Sequence, residues 1–171
     1  KKNKIFVACD SININKVKNI IKKTKNSKLK IGYKFGLEFL NSKKGRSFIS
    51  NLKNVTTFGD YKLADIPNTC VSAIKSVSDL KFNYITIHIS SGLSALKAAK
   101  KVSGKSKLVG VTILTSHDNQ SLKEIGYNNK IDKLVLKQVS LIKKSGATGC
   151  ICSANEASII RKKYKNLFIV T

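Results

Sequence analysis

The chain has 171 residues, of which 42% are apolar and 25% are charged, a balance typical of globular domains. No apolar run approaches the roughly 18 residues of a membrane-spanning helix. The length suits one sizeable core, so we predict a single domain over residues 1–171. Four cysteines in apolar surroundings are typical of free thiols in a reducing compartment, and we expect a cytoplasmic protein without disulfides.

The net charge of +24 is the most unusual feature of the composition. A strongly basic chain can bind nucleic acids, anionic membranes or anionic metabolites. All of its basic residues except Arg46 and Arg161 are lysines spread along the chain, whereas specific phosphate and base recognition favours arginine. We therefore infer that most lysines lie on solvated faces of helices. We expect neither a nucleic acid nor a membrane as a partner. The positive charge would also attract a small anionic substrate.

Apolar, β-branched runs predict seven strands, at residues 5–9, 29–32, 55–62, 84–89, 107–114, 149–153 and 167–170. Amphipathic stretches between them predict helices at 14–23, 68–80, 95–102, 131–146 and 155–164. This alternation indicates right-handed βαβ crossovers and a parallel sheet, which is the α/β class.

A (β/α)8 TIM-type barrel fits this order better than a doubly wound sheet, because no GxGxxG motif follows the first strand. Barrel active sites form where strands end, and polar residues stand at several of these ends: Asp10, Asp60, Lys62, His88, Thr115, Ser116 and Ser153. A barrel has eight strands, and the seventh predicted strand reaches the end of the sequence. We therefore expect that the eighth strand is lacking and that the domain is incomplete at its C-terminus.

The segment GDYKLAD contains an alternating array of charges. Asp60 and Lys62 lie two residues apart on a predicted strand and point the same way, and Asp65 follows in the next loop. An internal ion pair is the simplest explanation for such a pattern. Burying three charges is costly unless they compensate one another, however, so their place at a strand end favours a catalytic array.

The segment DYKLADIPNT also resembles the signature of the orotidine 5′-monophosphate decarboxylase family. The segments VACD, LKIG, IHISSG, VTILTS and GCICSANEA are similar to other strands of that family, so the resemblance extends along the whole chain. It implies decarboxylation of orotidine 5′-monophosphate to UMP in pyrimidine biosynthesis, without a cofactor or a metal.

The resemblance also implies roles for individual residues. Lys62 would stabilise and protonate the C6 carbanion within a charge network of Lys30, Asp60, Lys62 and Asp65. Asp10 would bind the ribose hydroxyls, Lys30 would also contact the substrate, and Thr115 and Ser116 would hold the edge of the pyrimidine. The family implies a homodimer in which Asp65, Ile66 and Thr69 reach the substrate of the partner subunit. The phosphate-binding residues would lie beyond Thr171.

Two alternatives remain open. A Mg²⁺-dependent sugar-phosphate decarboxylase or aldolase of the same superfamily shares the Asp-x-Lys-x-x-Asp pattern, although the IPNT and LTS segments favour the pyrimidine enzyme. A non-catalytic basic binding module would account for the net charge. A zinc site at Cys150 and Cys152 would need His88 and His117 as its remaining ligands, so we expect no metal site.

Overall fold

The computed structural model describes residues 4–171 and confirms the alternation of strands and helices. The strands are β1 (Lys4–Ala8), β2 (Lys30–Phe35), β3 (Thr56–Leu63), β4 (Tyr84–His88), β5 (Lys107–Val111), β6 (Gly149–Ile151) and β7 (Phe168–Val170). Each corresponds to one predicted strand. The largest differences are in β2, which continues three residues beyond its predicted end at residue 32, and in β5, which ends three residues before its predicted end at residue 114.

The helices are α1 (Ile14–Thr24), α2 (Leu37–Leu40), α3 (Gly45–Ser50), α4 (Pro67–Ser76), α5 (Gly92–Val102), α6 (Asn119–Glu124), α7 (Ile131–Ser145) and α8 (Ala154–Lys163). The five long helices were predicted, but α2, α3 and α6 were not. Helices of four to six residues are too short to establish a recognisable 3.6-residue periodicity. Two 3₁₀ turns, Ser78–Leu80 and Ile89–Ser91, complete the described structure.

The strands lie in the sheet in the same order as in the chain, from β1 to β7. Pairing is parallel between β1 and β2, β2 and β3, β5 and β6, and β6 and β7. Helices connect consecutive strands, as βαβ crossovers require. An order without reversal is that of a TIM-type barrel, whereas a doubly wound sheet reverses its order at a switch point.

The described residues cluster into two compact units. The first comprises the chain up to Tyr61 together with Ser76–Ile85, and its core is rich in aromatic rings. Phe58 contacts the rings of Phe6 and Tyr84, with centroids 4.9 and 5.6 Å away. The three rings lie on β1, β3 and β4 and pack against one another on the sheet.

The second unit comprises Lys62–Lys75 together with Thr86–Thr171, and its core is aliphatic. Helix α7 packs closely on the sheet at Gly110, where a β-carbon would overlap the side chains of Ile142 and Ile89. Glycine leaves room for these two side chains in their present positions. Among residues 4–171, no helix is both long and apolar enough to cross a bilayer.

Candidate active site

Three charged side chains meet in the first unit, where β1, β2 and β3 approach their carboxyl ends. Asp10 follows β1, Lys34 lies near the end of β2, and Asp60 lies on β3. Lys34 Nζ is 3.3 Å from Asp60 Oδ2 and 3.5 Å from Asp10 Oδ2. Parallel strands bring their carboxyl ends to one edge of the sheet, and this places the three residues together.

Burial differs among the three residues. Asp60 is only 4% exposed, whereas Asp10 and Lys34 are more accessible. A buried carboxylate is costly without compensation, and the ammonium group of Lys34 supplies the opposite charge. The Gly36 N–H also donates to Asp10 Oδ1 at 3.1 Å. A β-carbon at Gly36 would lie 2.7 Å from that oxygen, so glycine permits the close approach.

The structure corrects the position predicted for Lys30. This residue is exposed at the beginning of β2, opposite Lys4, at the amino end of the strand. Lys34, and not Lys30, is the lysine that lies between Asp10 and Asp60. The role of Lys30 came from the family resemblance of the segment LKIG, and Lys34 lies beyond the predicted end of that strand at residue 32. The alternation of buried Tyr33 and Phe35 with Lys34 is the sequence signal that could have identified the correct lysine.

Lys62, in the second unit, has an unusual backbone. Its φ angle is +47°, in the left-handed region that L-amino acids rarely adopt. The other non-glycine residues with positive φ among residues 4–171, Asn54 and Lys81, are exposed and lie outside strands. Such a conformation costs of order 1–3 kcal/mol and is commonly found at functional sites. The Lys62 N–H donates to Thr86 Oγ1 at 2.7 Å.

The segment after β3 exposes the residues that the family resemblance assigns to a partner's site. Asp65, Ile66 and Thr69 are all exposed, and Ile66 retains 65% of its accessible surface. Asp65 Oδ1 accepts a hydrogen bond from the Ile66 N–H at 2.7 Å, and its carbonyl accepts one from the Cys70 thiol. These contacts fix the turn that leads into α4. An exposed isoleucine at such a turn is a candidate contact for another chain.

Thr115 and Ser116 form an exposed turn after β5, closed by a hydrogen bond from the His117 N–H to the Leu114 carbonyl. His117 Nδ1 lies 3.2 Å from Ser121 Oγ, so this histidine has a polar partner in α6. His88, by contrast, is the last residue of β4. His88 thus lies at the carboxyl end of β4, and Thr115 and Ser116 lie beyond the end of β5.

Ser153 caps α8. Its hydroxyl accepts from the Asn155 N–H, while its own N–H donates to Glu156 Oε2 at 2.7 Å. These bonds form a capping box, which satisfies backbone donors at the helix start. The structure therefore gives Ser153 a structural role at the beginning of α8.

The cysteines are free and buried. Burial raises the pKa of the Cys9 thiol to about 11, so this neighbour of Asp10 stays protonated at neutral pH. A hydrogen bond between the two thiols raises the pKa of Cys150 and lowers that of Cys152. Among residues 4–171, no three His, Cys, Asp or Glu side chains gather closely enough to hold a metal ion.

Comparison with known proteins identifies the family. The model of the "Orotidine 5′-phosphate decarboxylase / HUMPS" family matches residues 3–171. The chain belongs to this family. Orotidine 5′-phosphate decarboxylase of Prochlorococcus marinus subsp. pastoris is 36% identical, over 96% of this chain and 72% of that protein. The Wolbachia enzyme of the same name is 35% identical, over 99% and 76%.

Solved structures give the same result. The crystal structure of orotidine 5′-phosphate decarboxylase from Lactobacillus acidophilus superposes with a TM-score of 0.88 at 28% identity, covering 99% of this chain and 80% of that one. An uncharacterised conserved protein from Geobacillus kaustophilus has a TM-score of 0.85 at 26% identity, covering 97% and 81%. The α/β fold of TIM-barrel type is thus confirmed, as is membership of this carboxy-lyase family.

Proposed function

We propose that the protein decarboxylates orotidine 5′-monophosphate to UMP. The observation that carries this proposal is the family match over residues 3–171, within which β3 bears Asp60 and Lys62 and the next loop bears Asp65. Relatives that are 35–36% identical over nearly all of this chain are named for the same reaction. The reaction belongs to pyrimidine biosynthesis.

In the proposed mechanism, the bond between C6 and the carboxylate breaks, CO2 leaves, and the electron pair stays on C6. The pyrimidine ring stabilises this carbanion poorly, so a nearby positive charge has to do so. We assign that role to the ammonium group of Lys62, which then donates a proton to C6 as general acid. Asp60 and Asp65 orient the lysine by charge and hydrogen bonding.

We assign Lys34 the role that the family resemblance implied for Lys30. Its contacts of 3.3 and 3.5 Å with Asp60 and Asp10 support a charge network that continues from the carboxylates of the array to the residue proposed to bind ribose. Asp10 retains an accessible carboxylate that can accept hydrogen bonds from sugar hydroxyls. Thr115 and Ser116, exposed after β5, are proposed to hold the edge of the pyrimidine.

We further propose a homodimer in which Asp65, Ile66 and Thr69 contribute to the substrate site of the partner subunit. The exposure of all three, and of Ile66 above all, supports a role in contacts outside the single chain.

The test is the loss of orotidine 5′-monophosphate absorbance with purified full-length protein in EDTA, beside a folded Lys62→Ala variant. We expect the parent to turn over and the variant to lose nearly all activity. A general acid contributes about 10²- to 10⁴-fold, and Lys62 also stabilises the carbanion, so the loss should exceed that range. Activity that EDTA abolishes and Mg²⁺ restores would instead favour the sugar-phosphate enzyme. Steeply salt-dependent RNA binding by an inert parent would favour the binding module.

A further inference from the structure

We propose that Thr86 is a positioning residue that holds Lys62 in its catalytic conformation through the hydrogen bond from the Lys62 N–H to Thr86 Oγ1. The inference rests on the catalytic role proposed for Lys62. Thr86 lies in the middle of β4 and is completely buried, so it acts through the lysine backbone and has no direct access to substrate.

The hydrogen bond differs from the usual pattern of a parallel sheet. In such a sheet, backbone N–H groups ordinarily donate to carbonyl oxygens of the neighbouring strand. Here the Lys62 N–H reaches a side-chain oxygen on β4, at 2.7 Å, the short end of the range for such bonds. The left-handed φ of +47° turns this peptide group away from the regular strand direction. A side-chain oxygen can accept a hydrogen bond from an N–H group that is not aligned with the backbone carbonyl groups of the neighbouring strand.

Burial makes this bond important. Thr86 is 0% exposed, so its hydroxyl is shielded from solvent. A hydroxyl in such surroundings is unfavourable unless it is hydrogen-bonded, and valine would fill the same volume without that cost. The Lys62 N–H provides this buried oxygen with a hydrogen-bond donor. The contact in turn offsets part of the strain at the lysine.

The direction of the Lys62 side chain depends on this backbone conformation. When φ changes from a positive to a negative value, the Cα–Cβ bond points elsewhere, and the ammonium group moves with it. A displacement of about 1 Å at a reacting group can reduce turnover about 100-fold. We therefore expect Thr86→Val to lower kcat about 10- to 100-fold, with a much smaller change in KM. Thr86→Ser keeps the oxygen and should retain most of the parent kcat.

Thr112 offers a matched control in the same unit. It is 2% exposed, and its hydroxyl donates to the Ile151 carbonyl at 2.9 Å. Thr112→Val therefore removes a buried threonine hydroxyl and one hydrogen bond, as Thr86→Val does, but away from Lys62. We expect this variant to keep the parent kcat. An equal loss of kcat in both variants would mean that the effect is general destabilisation, and would overturn the proposal.

A second measurement is independent of activity. Amide hydrogen exchange at Lys62, resolved by NMR, reports directly on the proposed bond. Exchange should accelerate at least tenfold in Thr86→Val and remain close to the parent rate in Thr86→Ser and Thr112→Val. If Thr86→Val does not fold, Thr86→Cys replaces it, because sulfur is a weak acceptor of similar size.

The two measurements separate the possible failures. An inert parent would contradict the proposed decarboxylase function, whereas the exchange rates would still decide whether Thr86 holds Lys62. An active parent whose kcat is unchanged by Thr86→Val would overturn the positioning role. Slowed turnover with unchanged exchange at Lys62 would overturn it as well, because the loss would then arise elsewhere.

Discussion

Replacing Lys62 with glycine should stabilise the protein relative to replacing it with alanine. Glycine adopts positive φ without steric penalty, whereas alanine in the left-handed conformation keeps the clash of its β-carbon. Both substitutions remove the ammonium group, so the loss of its interactions cancels in the comparison. What remains is the conformational preference of the backbone at φ +47°.

The magnitude follows from two opposing contributions. Relief of the left-handed conformation favours glycine by roughly 1–2 kcal/mol. The greater freedom of glycine in the unfolded chain disfavours it by roughly 0.5–1 kcal/mol. The free energy of unfolding should therefore be higher for Lys62→Gly than for Lys62→Ala by roughly 0–1.5 kcal/mol, with a central value of about 0.75 kcal/mol. In an ordinary strand position the sign is reversed.

Lys34 provides that ordinary position, because it lies in β2 and is not among the residues with positive φ. At this position, the free energy of unfolding should be lower for Lys34→Gly than for Lys34→Ala by about 0.5–1 kcal/mol. Urea denaturation of all four variants, monitored by circular dichroism under identical conditions, gives the difference between the glycine and alanine variants at each position. The reasoning fails if the glycine variant at position 62 is less stable than the alanine variant by the same free energy of unfolding as at position 34. The backbone at Lys62 would then be unstrained.

Three further predictions concern the site and the charge. Lys34→Ala should lower kcat/KM at least tenfold, while Lys30→Ala should leave it nearly unchanged; equal losses would contradict the assignment of Lys34. Ile66→Glu should convert a dimer to a monomer in sedimentation, whereas Ile125→Glu, at an isoleucine of similar exposure, should not; a dimer that persists in Ile66→Glu would exclude this interface. Because the protein carries a net charge of +24 and the substrate is anionic, kcat/KM should fall several-fold between about 50 and 500 mM salt, and kcat much less. A kcat/KM that does not depend on salt would contradict electrostatic attraction of the substrate.

Much of the fold could be predicted from the sequence, because long helices and strands have a hydrophobic periodicity that can be recognised in one sequence. The runs that became β3 and β5 begin within one residue of their predicted positions, and α7 ends one residue before its predicted end. The short helices α2, α3 and α6 were missed, since each covers fewer than two turns. Their positions follow from packing against the rest of the unit, which periodicity does not reveal.

The candidate site was predicted less completely. The acidic residues Asp10, Asp60 and Asp65 and the catalytic candidate Lys62 stand out because charges directly follow apolar runs. The resemblance of the segment LKIG pointed to Lys30, whereas Lys34 lies beyond the predicted end of that strand, and element boundaries are the least certain part of such predictions. The left-handed backbone at Lys62 and its bond to Thr86 have no local signal, because a lysine and a threonine are ordinary residues in strands.

The order of the strands also bears on how the chain reaches its fold. Each strand lies beside the one made before it, and the paired positions Val109 with Gly149 and Gly149 with Phe168 are only 40 and 19 residues apart. A nascent chain can therefore add one strand and one helix at a time to an existing edge, without waiting for a distant segment to be synthesised. Co-translational assembly from the amino end is thus compatible with every pairing in the described sheet.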